Sequence, residues 1–239
     1  MARVNRGRAA RRDNLVEMSG QDAPRPRAVV AIEAVASLAF FVLIALLAAR
    51  VWDGARGVTA WLVLAPAALL GYFLADVATG LVHWFCDRFF EEHTPVVGRL
   101  VIFPFRDHHR DPRAMTRHGF LELTGNSCLA ISPVLAAALG VRLGLFLDGA
   151  LLVFTLAVVG TNLFHGWAHA ERAPRLAAWL QSRGLVLAPT VHDVHHAHGG
   201  RGAYCVTNGW ANRWLDGLRV FERLEAGLVA LGVPATDAE

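Results

Sequence analysis

The sequence predicts an all-α integral membrane protein, with about four transmembrane helices and a histidine-rich cap on the cytoplasmic side. Three observations carry this. Of 239 residues, 54% are hydrophobic and only 18% charged, where soluble domains average roughly a quarter charged; mean hydropathy is +0.38. Four apolar runs have the length or near-length of a membrane span. Most of the 11 histidines fall where these runs meet polar sequence.

The chain opens with a basic segment, residues 1–27, carrying Arg3, Arg6, Arg8, Arg11, Arg12, Arg25 and Arg27. It reads as a disordered basic tail. Such a tail also serves as a cytoplasmic anchor on anionic headgroups and sets topology. No long apolar stretch precedes it, so a cleaved signal peptide is not expected. No recognition module follows it, so nucleic acid is not an expected partner.

Residues 28–49 form the first predicted span, with Glu33 near its start and within reach of the interface. Residues 58–82 form the second, where Pro66 predicts a kink. Residues 84–126 are more polar. Residues 128–146 form the third span, made less regular by Ser132-Pro133 and Gly140, with Arg142 snorkelling from its outer end. Residues 150–164 form a fourth, short unless it continues through His169. Residues 173–183 read as an interfacial helix with Leu176, Trp179 and Leu180 on one face. Trp84, Trp167, Trp179, Trp210 and Trp214 suit an aromatic belt, although tryptophans also simply pack. Cys86, Cys128 and Cys205 are far apart and read as reduced, packed thiols.

The arginine-rich tail places the N-terminus in the cytoplasm, and four crossings return the C-terminus there. Short external loops are expected at 50–57 and 147–149. Every histidine then lies on the cytoplasmic side.

The histidines group as His83; His108, His109 and His118; His165 and His169; His192, His195 and His196. The i, i+4 spacing of His165 and His169 puts both rings on one helical face, and His192, His195 and His196 repeat this at i, i+3, i+4. A lone histidine is usually a satisfied polar group, but nine at membrane boundaries exceed what one tetrahedral metal uses. They point to two metal ions. His93, beside Glu91 and Glu92, and His198, before Gly199-Gly200, read as solvated or loop residues. No Glu-x-x-His pairs accompany the clusters, no His-Glu-x-x-His occurs, and Cys and Met are sparse near them. Two irons in an all-histidine shell fit best. Such a centre suits oxygen-dependent removal of hydrogen from a lipid chain.

Asp76 lies one face and two turns below His83, too far for direct contact. It either orients a histidine from another helix or is a structural carboxylate. Arg106, Arg110, Arg113 and Arg117 either grip a lipid phosphate or are positive-inside charge. Asn126, Asn162 and Asn208 either support the metal ligands or cap turns.

Several motifs in order resemble the Kua family of lipid desaturases. They are Gly80-Leu-Val-His83-Trp84, Pro104-Phe-Arg-Asp-His108-His109-Arg-Asp-Pro112, Thr116-Arg-His118, Asn162-Leu-Phe-His165-Gly-Trp-Ala-His169, His192-Asp-Val-His195-His196 and Tyr204-Cys205-Val-Thr-Asn-Gly-Trp210. The resemblance covers residues 70 to 225. It implies a lipid desaturase domain over 28–239 and a centre of two Fe ions with O2 as co-substrate. The implied ligands are His83, His108, His109, His118, His165, His169, His192, His195 and His196. It also implies conversion of the 1-O-alkyl ether of plasmanylethanolamine to a plasmalogen vinyl ether. Acyl desaturation of a phospholipid such as phosphatidylglycerol is the alternative. Val191 departs from the pattern, standing where a further histidine is expected. No flavin or haem motif is present, so a separate electron donor, ferredoxin or cytochrome b5-like, is expected. A non-catalytic metal-binding regulator and a metal transporter are the readings from other classes. Ala- and Arg-rich composition points to a bacterial inner membrane.

Overall fold

The computed structural model describes residues 25–95 and 98–236, so the basic tail up to residue 24 lies outside the described residues. The described residues form helices and turns, with a single isolated bridge between Phe89 and Ala235 and no strand. Four helices are long and apolar enough to cross a membrane: α1 (Arg27–Gly54), α2 (Thr59–Arg88), α4 (Phe120–Leu139) and α5 (Leu145–His169). Between α2 and α4 lie a π-helical turn (Gly98–Ile102), the short helix α3 (Phe103–Arg110) and a 3-10 turn (Ala114–Arg117). After α5 come α6 (Arg175–Ser182), α7 (Pro189–Ala197), α8 (Asn212–Gly217) and α9 (Val220–Ala230).

The long helices are apolar all round, as membrane spans are. On α1, Ala36, Phe40, Ile44 and Leu47 recur at helical spacing and bury against Cys128, Ile131 and Leu135 of α4 and Val159 of α5. Val35, Leu38, Phe41, Val42 and Leu46 of the same helix are left facing outward. With no hydrophobic drive between spans, close backbone approach decides packing. Gly71 of α2 supplies it: a Cβ there would lie 2.1 Å from the Ala150 carbonyl oxygen of α5.

All four predicted spans differ from the structure in at least one boundary, the first running on to Gly54. The third span begins at Phe120, not 128, and ends at Leu139. A turn at 140–144 follows, closed by Gly144 at φ 86, and α5 begins at Leu145. Apart from Arg142 this turn carries no polar side chain, so hydropathy alone reads through it, and the loop expected at 147–149 lies inside α5. Arg142 therefore sits in the turn and not at the end of a span. Arg50 of α1 donates to the carbonyls of Ala138, Leu139 and Val141 and pairs with Asp148, satisfying the frayed end of α4. The second span continues to Arg88, and the fourth through His169.

Glu33 is not free to extend from the helix. It is buried against Gly125 and paired with Arg25, which also approaches Glu122. Trp84 does not join a surface belt either: it is 4% exposed and packs among Phe89, Tyr204 and Phe221. Trp179, Trp210 and Trp214 are exposed, as are Trp52 and Trp61 at the opposite end of the bundle. Helix α6 leaves Leu176 and Trp179 outward. All three cysteines are free and buried.

Candidate metal centre

The C-terminal end of α2, the N-terminal end of α4 and the C-terminal end of α5 share one end of the bundle. There α3 and α7 close over them. Helix α2 contributes His83, α3 His108 and His109, α5 His165 and His169 in its last turns, and α7 His192, His195 and His196.

Eight of the nine predicted histidines converge into two groups. One holds His108, His165, His169, His192 and His196; the other holds His83, His108, His109 and His195. Within each, the ligand atoms lie within 4.8 Å of one another. In the first group the Nε2 of His192 lies 2.7 Å from that of His165, 2.9 Å from His169 and 3.0 Å from His196. Neighbouring nitrogens about 2.1 Å from one ion would sit roughly 3 Å apart in octahedral coordination. The spacing therefore fits a metal ion.

Beside the second group lies a residue that the histidine pattern does not reveal. Asp87, one helical turn beyond His83, is fully buried, and its Oδ2 lies 3.2 Å from Nε2 of His83, 3.2 Å from His109 and 3.4 Å from His195. The i, i+4 spacing from His83 was the available signal. A buried carboxylate among imidazoles requires a compensating cation, and a divalent metal supplies one.

The outer nitrogens are fixed. Nδ1 of His83 donates to the Tyr204 carbonyl at 3.0 Å, and Nδ1 of His195 to that of Gly202 at 2.7 Å. This tautomer leaves the Nε2 lone pairs turned inward for a metal. Burial, reinforced by the neighbouring imidazoles, holds His108 and His192 well below the usual histidine range and lowers His196 to about 3. They are neutral, the form that ligates. Nε2 of His108 is buried with no hydrogen-bond partner among the described residues, as an atom turned toward a metal would be.

His118 stands outside both groups, its Nε2 3.9 Å from Glu122. His93 is exposed beside Glu91, and exposed His198 has Nδ1 on the Val194 carbonyl. Val191, where a histidine was expected, packs with Ala168, Leu187 and Val206.

Asp76 does not orient a histidine. Its Oδ1 accepts the backbone N–H groups of Thr207, Asn208 and Gly209, and its Oδ2 that of Ala211. It pins the loop that carries the Tyr204 carbonyl. Thr79 and Thr161 reach Thr207 from α2 and α5 through their hydroxyls, and Asn212 clasps Cys205 through its backbone N–H and carbonyl. Asn208 accepts from the Trp210 N–H, and Asn162 donates to the Leu123 carbonyl.

The arginines are engaged within the protein. Arg106 donates to the carbonyls of Cys86, Asp87 and Phe90, Arg110 pairs with Glu92, Arg113 with Glu171 and Arg117 with Asp111.

A cleft of about 130 Å³ reaches the first histidine group. His108 and His165 line it, with Val101, Phe105, Leu123 and Asn126. Its wall is mostly apolar, and it lies between α3 and the ends of α4 and α5.

The chain matches the lipid desaturase domain over residues 72–235. It is 38% identical to a plasmanylethanolamine desaturase of Myxococcus xanthus, over 83% of this chain and 71% of that protein. It is 36% identical to plasmanylethanolamine desaturase 1 of Mus musculus, over 65% of this chain and 61% of the relative. It is 34% identical to the chloroplastic fatty acid desaturase 4 of Arabidopsis thaliana, over 67% of this chain and 50% of the relative. No solved structure matches it. Spans, histidine groups and sequence likeness agree: this chain belongs to the lipid desaturase domain family.

Proposed function

We propose that this protein is an oxygen-dependent di-iron desaturase converting the 1-O-alkyl ether of plasmanylethanolamine to the vinyl ether of a plasmalogen. The observation that carries this reading is the pair of histidine groups meeting at His108, with the Asp87 carboxylate against three members of one of them. The likeness to two plasmanylethanolamine desaturases supports the substrate.

The reaction balances as R–O–CH2–CH2–R′ + O2 + 2 e⁻ + 2 H⁺ → R–O–CH=CH–R′ + 2 H2O. Two iron ions, when bound, would supply the oxygen activation and the oxidising power. His165, His169, His192 and His196 would hold one, and His83, His109, His195 and Asp87 the other, with His108 between them. The carbonyls of Tyr204 and Gly202 keep two rings in the ligating tautomer. The cleft against His108 and His165 receives the ether-proximal carbons of a phospholipid lying in the bilayer, and its apolar wall excludes water. Asn126 and Asn162 present amides near that cleft. The electrons come from a separate donor of ferredoxin or cytochrome b5 type. Both chain ends lie in the cytoplasm, and the membrane is the bacterial inner membrane.

Expression in an oxygenated host rich in alkyl-ether lipid tests the reading. The expected product is two hydrogens lighter and releases an aldehyde in mild acid. The plant relative favours a second outcome, a double bond in an ester-linked acyl chain of a phospholipid such as phosphatidylglycerol. No new lipid from iron-loaded, reduced protein with substrate present would count against both.

A further inference from the structure

Removal of hydrogen from the two carbons next to the ether oxygen, the reading on which a headgroup site rests, constrains the rest of the lipid. About ten bonds join the first alkyl carbon to the ammonium of an ethanolamine headgroup, and an extended chain advances about 1.2 Å per bond. A lipid reacting at those carbons therefore keeps its ammonium within about 12 Å of them. The headgroup must sit at the cleft that receives the carbons, and what lines this cleft meets the headgroup too.

The lining holds a single carboxylate. Beyond His108 and His165, every lining residue is apolar or an amide except Glu122. Glu122 belongs to the first turn of α4, one turn before Asn126, so the two project from one face. Its side chain is 25% exposed, which sets it at the mouth, while His108 is buried at the floor.

Two nitrogen-bearing side chains approach Glu122 from outside, and neither lines the cleft. Nε of Arg25 lies 3.4 Å from its Oε1. The same guanidinium donates through Nη2 to the buried Glu33, so two carboxylates share one arginine. Nε2 of His118 is 3.9 Å from Oε1 and has no hydrogen-bond partner among the described residues. Both approaches are longer than the roughly 2.8 Å of a charge-assisted hydrogen bond. Glu122 thus keeps acceptor capacity for a further donor.

An occupant of the cleft meets a carboxylate beside an apolar wall. That pairing suits an amphiphile that carries a cation. An ethanolamine headgroup brings an ammonium with three N–H donors. A choline headgroup has no N–H to donate, and a glycerol headgroup offers hydroxyls and no cation.

We propose that Glu122 accepts the ammonium of the lipid headgroup and is the residue through which this protein selects ethanolamine lipids. It positions the lipid so that the first alkyl carbons lie against His108 and His165.

The experiment uses full-length protein in detergent and 1-O-alkyl lipids bearing ethanolamine, N-methylated ethanolamine, choline or glycerol headgroups. Iron-free protein is mixed with equal amounts of these lipids, and retained lipid is read by native mass spectrometry. Retention should fall with each methyl group added, and ethanolamine should exceed glycerol roughly tenfold. Glu122→Gln, which keeps the shape and removes the charge, should bring that ratio close to one; Glu122→Asp should keep most of the preference. Iron-loaded protein given reductant and oxygen should show the same shift in the ratio of vinyl-ether products. Equal retention of all four headgroups by the unsubstituted protein overturns the assignment, a result that needs no variant. A preference that survives Glu122→Gln overturns it as well. A preference that follows Glu122 in iron-free protein, with no double bond formed after loading, would sink the desaturase reading and leave the ammonium site standing.

Discussion

Asp87 and His83 stand one turn apart at the buried end of α2, with Oδ2 3.2 Å from Nε2. Helical periodicity alone brings them to one face, and burial of both makes the contact costly without a cation. The carboxylate is therefore a ligand or the immediate partner of ligands. Asp87→Ala is expected to weaken iron binding about 10- to 100-fold and to abolish desaturation. Iron per protein after dialysis checks it; full retention of iron with wild-type activity would remove Asp87 from the centre.

Asp76 holds four backbone N–H groups, so its loss should act on stability first. Hydrogen bonds to a charged group contribute about 1.5–3 kcal/mol each, and four donors lose their acceptor together. Asp76→Ala should cost about 3 kcal/mol or more, read as a fall in thermal midpoint in detergent. Lipid supplied at low temperature should still be turned over by the folded fraction. An unchanged midpoint would show that the loop is pinned by other contacts.

The α2–α5 contact depends on the missing side chain at Gly71. Gly71→Ala forces a Cβ against the Ala150 carbonyl, and overpacking of this kind costs about 1–3 kcal/mol. The same change at Gly119, where a Cβ would meet open space, serves as the control. Equal thermal midpoints for the two variants would contradict the tight crossing.

Acidification should destabilise the metal-free protein. His108, His192 and His196 have lower pKa values folded than the 6.5 of a free imidazole, with His196 at about 3. Below pH 6.5 the unfolded chain therefore binds more protons, and stability falls as pH drops toward 3. The thermal midpoint of iron-free protein should decline steadily from about pH 7 to about pH 5. A rising or flat profile would mean that these rings are not held neutral.

The four spans and the eight converging histidines were legible because both signals are local: an apolar window and an i, i+4 spacing. What was not legible depended on partners distant in sequence. Arg142 is the one polar side chain in the α4–α5 turn, so hydropathy merged Gly140 to Gly144 with the spans around it. Asp76 could be placed on a face, but not against the N–H groups of residues 207–211, which lie 131 to 135 positions away. Arg106, Arg110, Arg113 and Arg117 look alike as charges; only the fold shows each engaged by a carbonyl or carboxylate. Asp87 was within reach of spacing rules, yet attention to imidazole alone passes over a carboxylate.

His108, 1% exposed, belongs to both ligand groups. The two groups therefore have a member in common, and a metal ion in one would change the donor set left to the other. A neutral imidazole offers one lone pair, so the two groups would compete for His108: titrated iron should enter in two steps of unequal affinity, with a chain carrying one ion as the main species at one equivalent.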